Sequence, residues 1–348
     1  KFMCPLGHWG RPNKVPRDFE KEGHGRAEYA TRTIPEGSAT VRGTISRDDF
    51  VYLLSSLPNW KAPGDDAITN EVLKAAPPWV IDYIHSLVND VLLGGTLPKE
   101  WKVGVVRLLL KKTPASDLGN QRPVCCIRTI YKLVSAIINN RMYKLLERYD
   151  VLEEQQEGFR AQRSCPRQTH KLISIMEDAK RQKKKLYCLW IDWGNAFNSA
   201  DQDVLWEAMR LSGFEKKDIA LVAELYNEST LVVDNSFGRT AEIDCNCGVK
   251  QGDIISPAVF TILMNVLLRS LARTGAGYTH SSGVHCNFLA FADDIVLITD
   301  DAKKMQTLVA EVELFASWSK MWVNQSKCRI CAMDYGRNKP LETDMIHY

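Results

Sequence analysis

No uninterrupted apolar stretch in this 348-residue chain approaches the roughly 18 positions that a membrane-spanning helix needs, so no segment reads as transmembrane. A disulfide framework is missing too. The ten cysteines show no framework spacing, and a chain this long does not need covalent staples, so they read as reduced thiols of an intracellular protein. There is no internal repeat and no low-complexity linker. The start, Lys1-Phe2-Met3-Cys4, lacks both an initiator methionine and the pattern of a signal peptide, so the chain reads as an internal segment of something longer. An excess of one charge is nearly absent: 45 Lys and Arg against 42 Asp and Glu leave +3, too little by itself to require a nucleic-acid partner. What remains is an ordinary globular composition, 45% hydrophobic and 25% charged, long enough for one large or two to three smaller domains.

The most informative segment is Phe291-Ala292-Asp293-Asp294-Ile295-Val296-Leu297-Ile298. Apolar runs enter at Phe288–Phe291 and leave at Ile295–Ile298, which predicts a β-hairpin with acid at its tip. Unpaired carboxylates between apolar strands are costly, and a divalent metal is the usual remedy. An ordinary Asp-Asp turn is the plain alternative. Another acid, Asp192, closes the β-prone run Leu186–Ile191. Three acids on strand ends could hold two Mg²⁺ ions for phosphoryl chemistry; Mn²⁺ accepts the same oxygen ligands. Because adjacent strand residues point to opposite faces, Asp293 and Asp192 are expected to be the main metal bridges, with Asp294 at the margin.

Around these acids the chain alternates elements. Ser46-Arg47-Asp48-Asp49 reads as a helix start, and further helices are expected over 69–76, 79–93, 129–149, 167–181, 203–212, 217–226, 258–271 and 302–319. Val103–Leu110 reads as a strand, 117–123 as a polar loop, and 231–233 with 240–243 as a hairpin. This interleaving predicts an α+β sheet covered by helices on one face, bringing Asp192 near Asp293. Gly248-Val249-Lys250-Gln251-Gly252-Asp253 is a loop whose glycines permit close backbone approach to a ligand, with Gln251 free to bond a base, or simply a loop before the helix start at Ser256-Pro257. Phe197 could stack under a sugar or belong to the core. Lys111, Arg122 and Lys327 are candidate triphosphate contacts, each weak alone. The basic run Lys180–Lys185 is equally well a solvated turn. Cys328-Arg329-Ile330-Cys331 and Cys245-Asn246-Cys247 make a zinc site conceivable.

Taken in order, these segments resemble the reverse transcriptase domain of non-LTR (LINE-type) retrotransposons, from about Ser46 to Lys327. Lys61-Ala62-Pro63-Gly64 is similar to the family's KAPG. Asn120-Gln121-Arg122-Pro123-Val124 resembles NYRPI, and Gln156-Glu157-Gly158-Phe159-Arg160 resembles QxGFR. Asp192 with Ala196-Phe197 resembles motif A, and Gly248–Asp253 with Ser256-Pro257 resembles motif B. Phe291–Asp294 resembles motif C in its FADD form, and Asn324-Gln325-Ser326-Lys327 resembles the NxxK of motif D. Any one is weak; together and in register they are specific.

The resemblance implies a right-hand polymerase fold with an antiparallel palm sheet backed by helices. Expected boundaries are an irregular arm over 1–45, fingers with early palm elements over 46–185, and a palm over 186–348. It implies Asp192, Asp293 and Asp294 as the metal-binding catalytic triad, with Lys327 as an acid aiding pyrophosphate departure. It further implies Phe197 as the gate against a ribose 2′-hydroxyl, Lys111 and Arg122 facing the triphosphate, and Gln251 near the nascent base pair. The implied partners are an RNA template, a DNA primer and dNTPs, with no membrane. The implied location is the nucleus, with the cytoplasm as the other intracellular choice. A catalytically inactive relic that only binds nucleic acid is the alternative, favoured by departures at Asn195 and Asn198 and opposed by the intact acids. Trp193 and Gly194 are unusual neighbours for Asp192, and Gln121 replaces a usual tyrosine. An RNA-directed RNA polymerase is opposed by the bulk of Phe197. No endonuclease signature precedes Ser46. The family continues past Lys327 with a primer-grip hairpin and a helical thumb, so the expectation is a chain that stops before both, thumb absent, with weak synthesis in isolation.

Overall fold

The computed structural model describes residues 32–38, 40–114, 120–235, 238–341 and 343. It divides into two compact units: Asp150–Ala208 with Phe260–Tyr348, and Ile34–Tyr149 with Met209–Val259. The units interleave in sequence instead of dividing at residue 185, for two reasons of packing. The helix over Cys165–Arg181 buries its apolar face on the strand that leads to Asp192, and Thr230–Asn235 pairs in parallel with Val103–Leu110.

In the Ile34–Tyr149 and Met209–Val259 unit, α1 (Arg47–Ser56) starts as expected. The Ser46 hydroxyl accepts from the Asp49 N–H, and Asp48 and Asp49 occupy the positive end of the helix. Next come α2 (Asn70–Lys74), α3 (Pro78–Leu92), β1 (Val103–Leu110), β2 (Gln121–Ile127) and α4 (Thr129–Arg148). The chain returns to this unit at α8 (Lys216–Glu224), β4 (Thr230–Asn235), β5 (Gly238–Arg239) and β6 (Ile243–Asp244). The sheet order is β2-β1-β4-β5, with β6 also on β4. The expected polar loop over 117–123 is therefore partly strand, because Gln121, Arg122 and Pro123 pair with Leu110, Leu109 and Leu108. Pro123 is tolerated since β2 is an edge strand. Most of the expected arm over 1–45 lies outside the described residues. Its described end is tied down: Asp218 accepts from Thr40 and the Val41 N–H, and the Arg141 guanidinium donates to the carbonyls of Val41, Gly43 and Thr44.

The other unit holds α5 (Cys165–Arg181), β3 (Lys185–Ile191), the short α6 (Ala196–Ser199), the hairpin β7 (Tyr278–Thr279) and β8 (His285–Cys286), β9 (Phe288–Phe291), β10 (Asp294–Thr299), α10 (Ala302–Ser319), β11 (Arg329–Asp334) and β12 (Lys339–Pro340). Two further helices, α7 (Gln202–Leu211) and α9 (Ser256–Arg273), run across the unit boundaries. The sheet order is β12-β11-β3-β10-β9, antiparallel throughout. So the expected single sheet is two five-stranded sheets plus a small hairpin. One-face coverage is also corrected. Ile295–Thr299 are buried without a break, and a strand buried at consecutive positions is covered on both sides. Ile175 and Ala179 of α5 pack with Leu186, Cys188, Leu289, Val296 and Ile298 on one face, and α10 packs against β10. The basic run has a structural role. Arg181 bonds the buried Asp178, and the Lys184 ammonium donates to the Thr279 carbonyl and lies 5.2 Å over the Tyr278 ring, so the run holds the β7–β8 hairpin to α5.

Candidate active site

The two strands that end in acid meet side by side. β10 pairs with β3 with Ile295 opposite Ile191, so one further step sets Asp294 opposite Asp192 on the same face. Both line a cleft of about 380 Å³ on the α5 side of the sheet, with Trp190, Phe291, Val296, Gln168 and Lys327 among its other walls. Asp294 thus stands beside Asp192, where the sequence had put it at the margin. Asp293, half-buried, is the second residue of the two-residue turn between Phe291 and Asp294, outside the cleft lining. The Asp192 Oδ2 is buried and has no hydrogen-bond partner, and the Lys327 ammonium stands 3.5 Å from it. Partial burial, and then the charge of Asp192, hold the Asp294 carboxyl above the usual carboxylate range.

Among the described residues, no group of three or more His, Cys, Asp and Glu side chains is placed to hold a metal by itself. This removes support for the zinc reading, and the CxxC and CxC pairs lie in different units. Two carboxylates are nonetheless the set that suits magnesium, which keeps waters and takes one or two carboxylates plus substrate phosphates in place of an all-protein cage. A buried carboxylate oxygen without a donor, beside a second carboxylate, fits such an ion.

The FADD turn is held from behind by residues the sequence reading used only as a motif. Ala292 has φ +58, the first position of a tight hairpin turn and a costly one for alanine. The fully buried Gln156 clamps it: its Oε1 accepts from the Ala292 N–H and the Gly158 N–H at 2.8 Å each, and its Nε2 donates to the Ala292 carbonyl at 3.1 Å. Gly158 lies so close that a Cβ there would stand 2.2 Å from the Ala292 nitrogen. Gln156 pairs with Ala290 as a bridge, and the Gln168 amide adds a bond to the Ala290 carbonyl.

Motif A turns sharply after Asp192. Asn195 sits at φ +50, a left-handed conformation asparagine tolerates well, and its carbonyl accepts from the Asn198 and Ser199 N–H groups to start α6. The departure at 195 therefore has a local structural reason. Phe197 is half-buried, stacked on Phe260 at 4.4 Å and edged by Phe159 at 6.1 Å, so it is a fixed wall.

Three candidates belong to the other unit. Lys111 and Arg122 are exposed at the end of the β1–β2 pair next to its connecting loop. Gln251 is half-buried, with its carbonyl accepting from the Cys125 N–H at 2.7 Å. Gly252, at φ +119, lets the loop approach: a Cβ there would lie 2.5 Å from the Cys125 carbonyl oxygen. Lys250 and Asp253, which no local pattern singles out, pin this loop on either side of Gln251. Lys250 is buried, with its ammonium 4.7 Å over the Tyr131 ring and bonded to the Lys102 and Leu225 carbonyls, and burial lowers its pKa. Asp253 accepts from the Tyr131 and Ser135 hydroxyls.

Comparison with known proteins agrees with this geometry. The family described as "Reverse transcriptase (RNA-dependent DNA polymerase)" matches residues 109–348. The probable RNA-directed DNA polymerase from transposon X-element of Drosophila melanogaster is 30% identical over 300 residues, covering 81% of this chain and 31% of the relative. The RNA-directed DNA polymerase from mobile element jockey of the same fly is 24% identical over 293 residues, covering 82% and 31%. The chain thus spans about a third of the length of these relatives. Among solved structures, telomerase from Candida tropicalis in complex with a TWJ fragment of telomeric RNA superposes with a TM-score of 0.50 at 13% identity, over 81% of this chain and 50% of that one, which is a likeness of fold. The α+β polymerase fold and these matches place the chain in the reverse transcriptase family, as a domain of the non-LTR retrotransposon class.

Proposed function

We propose that this domain copies an RNA template into DNA by adding dNTPs to the 3′-hydroxyl of a DNA primer, with the acids of the β3 and β10 ends as its metal-binding centre. The observation that carries this reading is the Asp192–Asp294 pair on one face, with a buried, donor-free Oδ2 on Asp192. A magnesium ion held there, with Asp293 as a third ligand candidate, would supply charge neutralisation and activation of the attacking hydroxyl. Asp192 and Asp294 would hold the ion in place, and Lys327 presents an ammonium and its proton to the leaving pyrophosphate. Lys111 and Arg122 are proposed triphosphate contacts, and Gln251 a neighbour of the nascent base pair. In this reading the β3–β10 unit is the palm and the β1–β4 unit the fingers. The intact acid pair disfavours a relic that only binds nucleic acid.

The test is primer extension on an RNA template with dNTPs and Mg²⁺, beside Asp294→Asn. Extension by the parent chain and not the variant supports the assignment; extension that survives Asp294→Asn removes the acid pair from it. Silence from the parent chain and from a longer chain with flanking sequence overturns the activity.

Phe197, braced by Phe260, is proposed to exclude a 2′-hydroxyl by its bulk. Phe197→Ala is expected to raise ribonucleotide use relative to deoxyribonucleotide use by about tenfold to a hundredfold, measured as the ratio of kcat/KM values. An unchanged ratio would assign Phe197 to the core.

A further inference from the structure

Asp192 is held at its N–H, its carbonyl and its carboxylate by one short segment that follows α10. Its N–H donates to the Cys328 Sγ at 3.5 Å, its carbonyl accepts from the Asn324 N–H at 2.7 Å, and its carboxylate faces Lys327 at 3.5 Å. The next two residues continue the pattern. Trp193 bridges Val323, and the Gly194 N–H donates to the Trp322 carbonyl at 2.9 Å. The Trp322 side chain then lies against Gly194. A Cβ on residue 194 would stand 1.9, 2.0 and 2.3 Å from three carbons of the indole, distances that real Cβ atoms do not reach. Gly194 is buried with no positive φ, so backbone conformation does not call for glycine there; the indole does. Trp322 itself is 46% exposed and is seated at the motif A turn.

We propose that Trp322, seated on Gly194, is a positioning residue for Asp192: the indole latches the 322–328 segment to the motif A turn and so fixes the carboxylate for metal binding. This rests on the reading of Asp192 as a metal ligand. It also gives a reason for glycine after Trp193. The latch joins positions 194 and 322, so each residue constrains the choice at the other. Trp193, between Asp192 and Gly194, is itself anchored, with its ring buried against Phe315 at 5.6 Å.

The experiment measures Mn²⁺ binding to the free 348-residue chain by electron paramagnetic resonance, and kcat and dNTP KM in primer extension, for Gly194→Ala, Trp322→Ala and the double variant. Gly194→Ala must evict the indole or shift the turn. It is expected to weaken Mn²⁺ binding and lower kcat by about tenfold or more, the usual scale for groups that orient a metal ligand, with dNTP KM little changed. Trp322→Ala, which introduces no clash, is expected to weaken Mn²⁺ binding about threefold to tenfold. In the double variant the new methyl at position 194 has room, so values return to those of Trp322→Ala alone. Mn²⁺ affinity in Trp322→Ala equal to the parent's overturns the proposal, as does a double variant no better than Gly194→Ala. Should Gly194→Ala fail to fold, Trp322→Ala alone decides. Because Mn²⁺ binding is read without nucleic acid, a parent chain that binds the ion yet extends no primer counts against the polymerase reading and leaves the latch judged by its own variants.

Discussion

Asp192→Asn is expected to lower RNA-templated primer extension by about a thousandfold, equivalent to roughly 4 kcal/mol of transition-state stabilisation. The amide keeps the shape of the carboxylate, so packing around β3 is preserved. What it loses is the anionic oxygen that stands buried without a hydrogen-bond donor. Folding without metal should not suffer. The cation beside that oxygen is the half-exposed Lys327 at 3.5 Å, and an ion pair of that kind contributes little. The neighbouring acid should benefit, since the charge of Asp192 is one of two causes, after burial, that raise the Asp294 carboxyl. The sign follows from proton linkage. An acid with a raised folded pKa binds its proton more tightly when folded, so the stability it gives is present at low pH and is lost as pH rises through the window above its ordinary value. Asp192→Asn narrows that window, and the metal-free variant should lose less stability than the parent as pH rises through it. Single-turnover extension and metal-free melting curves across that pH range check both halves. A variant that loses activity together with a lowered melting temperature at every pH would mean Asp192 acts through folding.

The acid centre was legible because its signals are local. Two apolar runs around Asp293-Asp294, and a third ending at Asp192, specify strands and their ends without knowledge of the rest of the chain. Even the two-face burial was written in the unbroken run Ile295–Ile298, although helices on one face of the sheet were expected. The first three residues of β2 were read as part of a polar loop, and only the sheet pairing shows them to be strand, with Pro123 at an edge. β11 went unassigned because Arg329–Asp334 mixes polar and apolar residues without clear alternation, and it becomes a strand through pairing with β3. The choice between Asp293 and Asp294 depends on the register of β10 on β3, which no local pattern contains. The clamp from Gln156 to Ala292 and the latch from Trp322 to Gly194 join positions more than a hundred residues apart. Lys250 gives no sign in sequence of its burial over Tyr131.

Gln156→Leu is the second large effect expected. The buried amide satisfies three backbone groups at once: the N–H and carbonyl of Ala292 and the N–H of Gly158. Leucine has similar bulk but no polar atoms, so all three are left unpaired in a closed site. Each such group costs about 1–3 kcal/mol, and the three share one turn, so a total near 3–5 kcal/mol is expected where full additivity would give more. The turn is also the place least able to absorb it, because Ala292 already holds a left-handed backbone that alanine disfavours. Once released, the turn relaxes, and Asp293 and Asp294 leave the positions that the hairpin gives them. The result should be a lower urea midpoint, faster hydrogen exchange at the Ala292 amide, and a loss of kcat of about tenfold to a hundredfold per folded molecule. Gln156→Glu separates the contributions. Its carboxylate still accepts from the Ala292 and Gly158 N–H groups but cannot donate to the Ala292 carbonyl, so it should fall between the parent and Gln156→Leu in exchange rate. A lowered midpoint with kcat unchanged among folded molecules would reduce Gln156 to a packing residue, because a turn free to relax could not keep both acids in place.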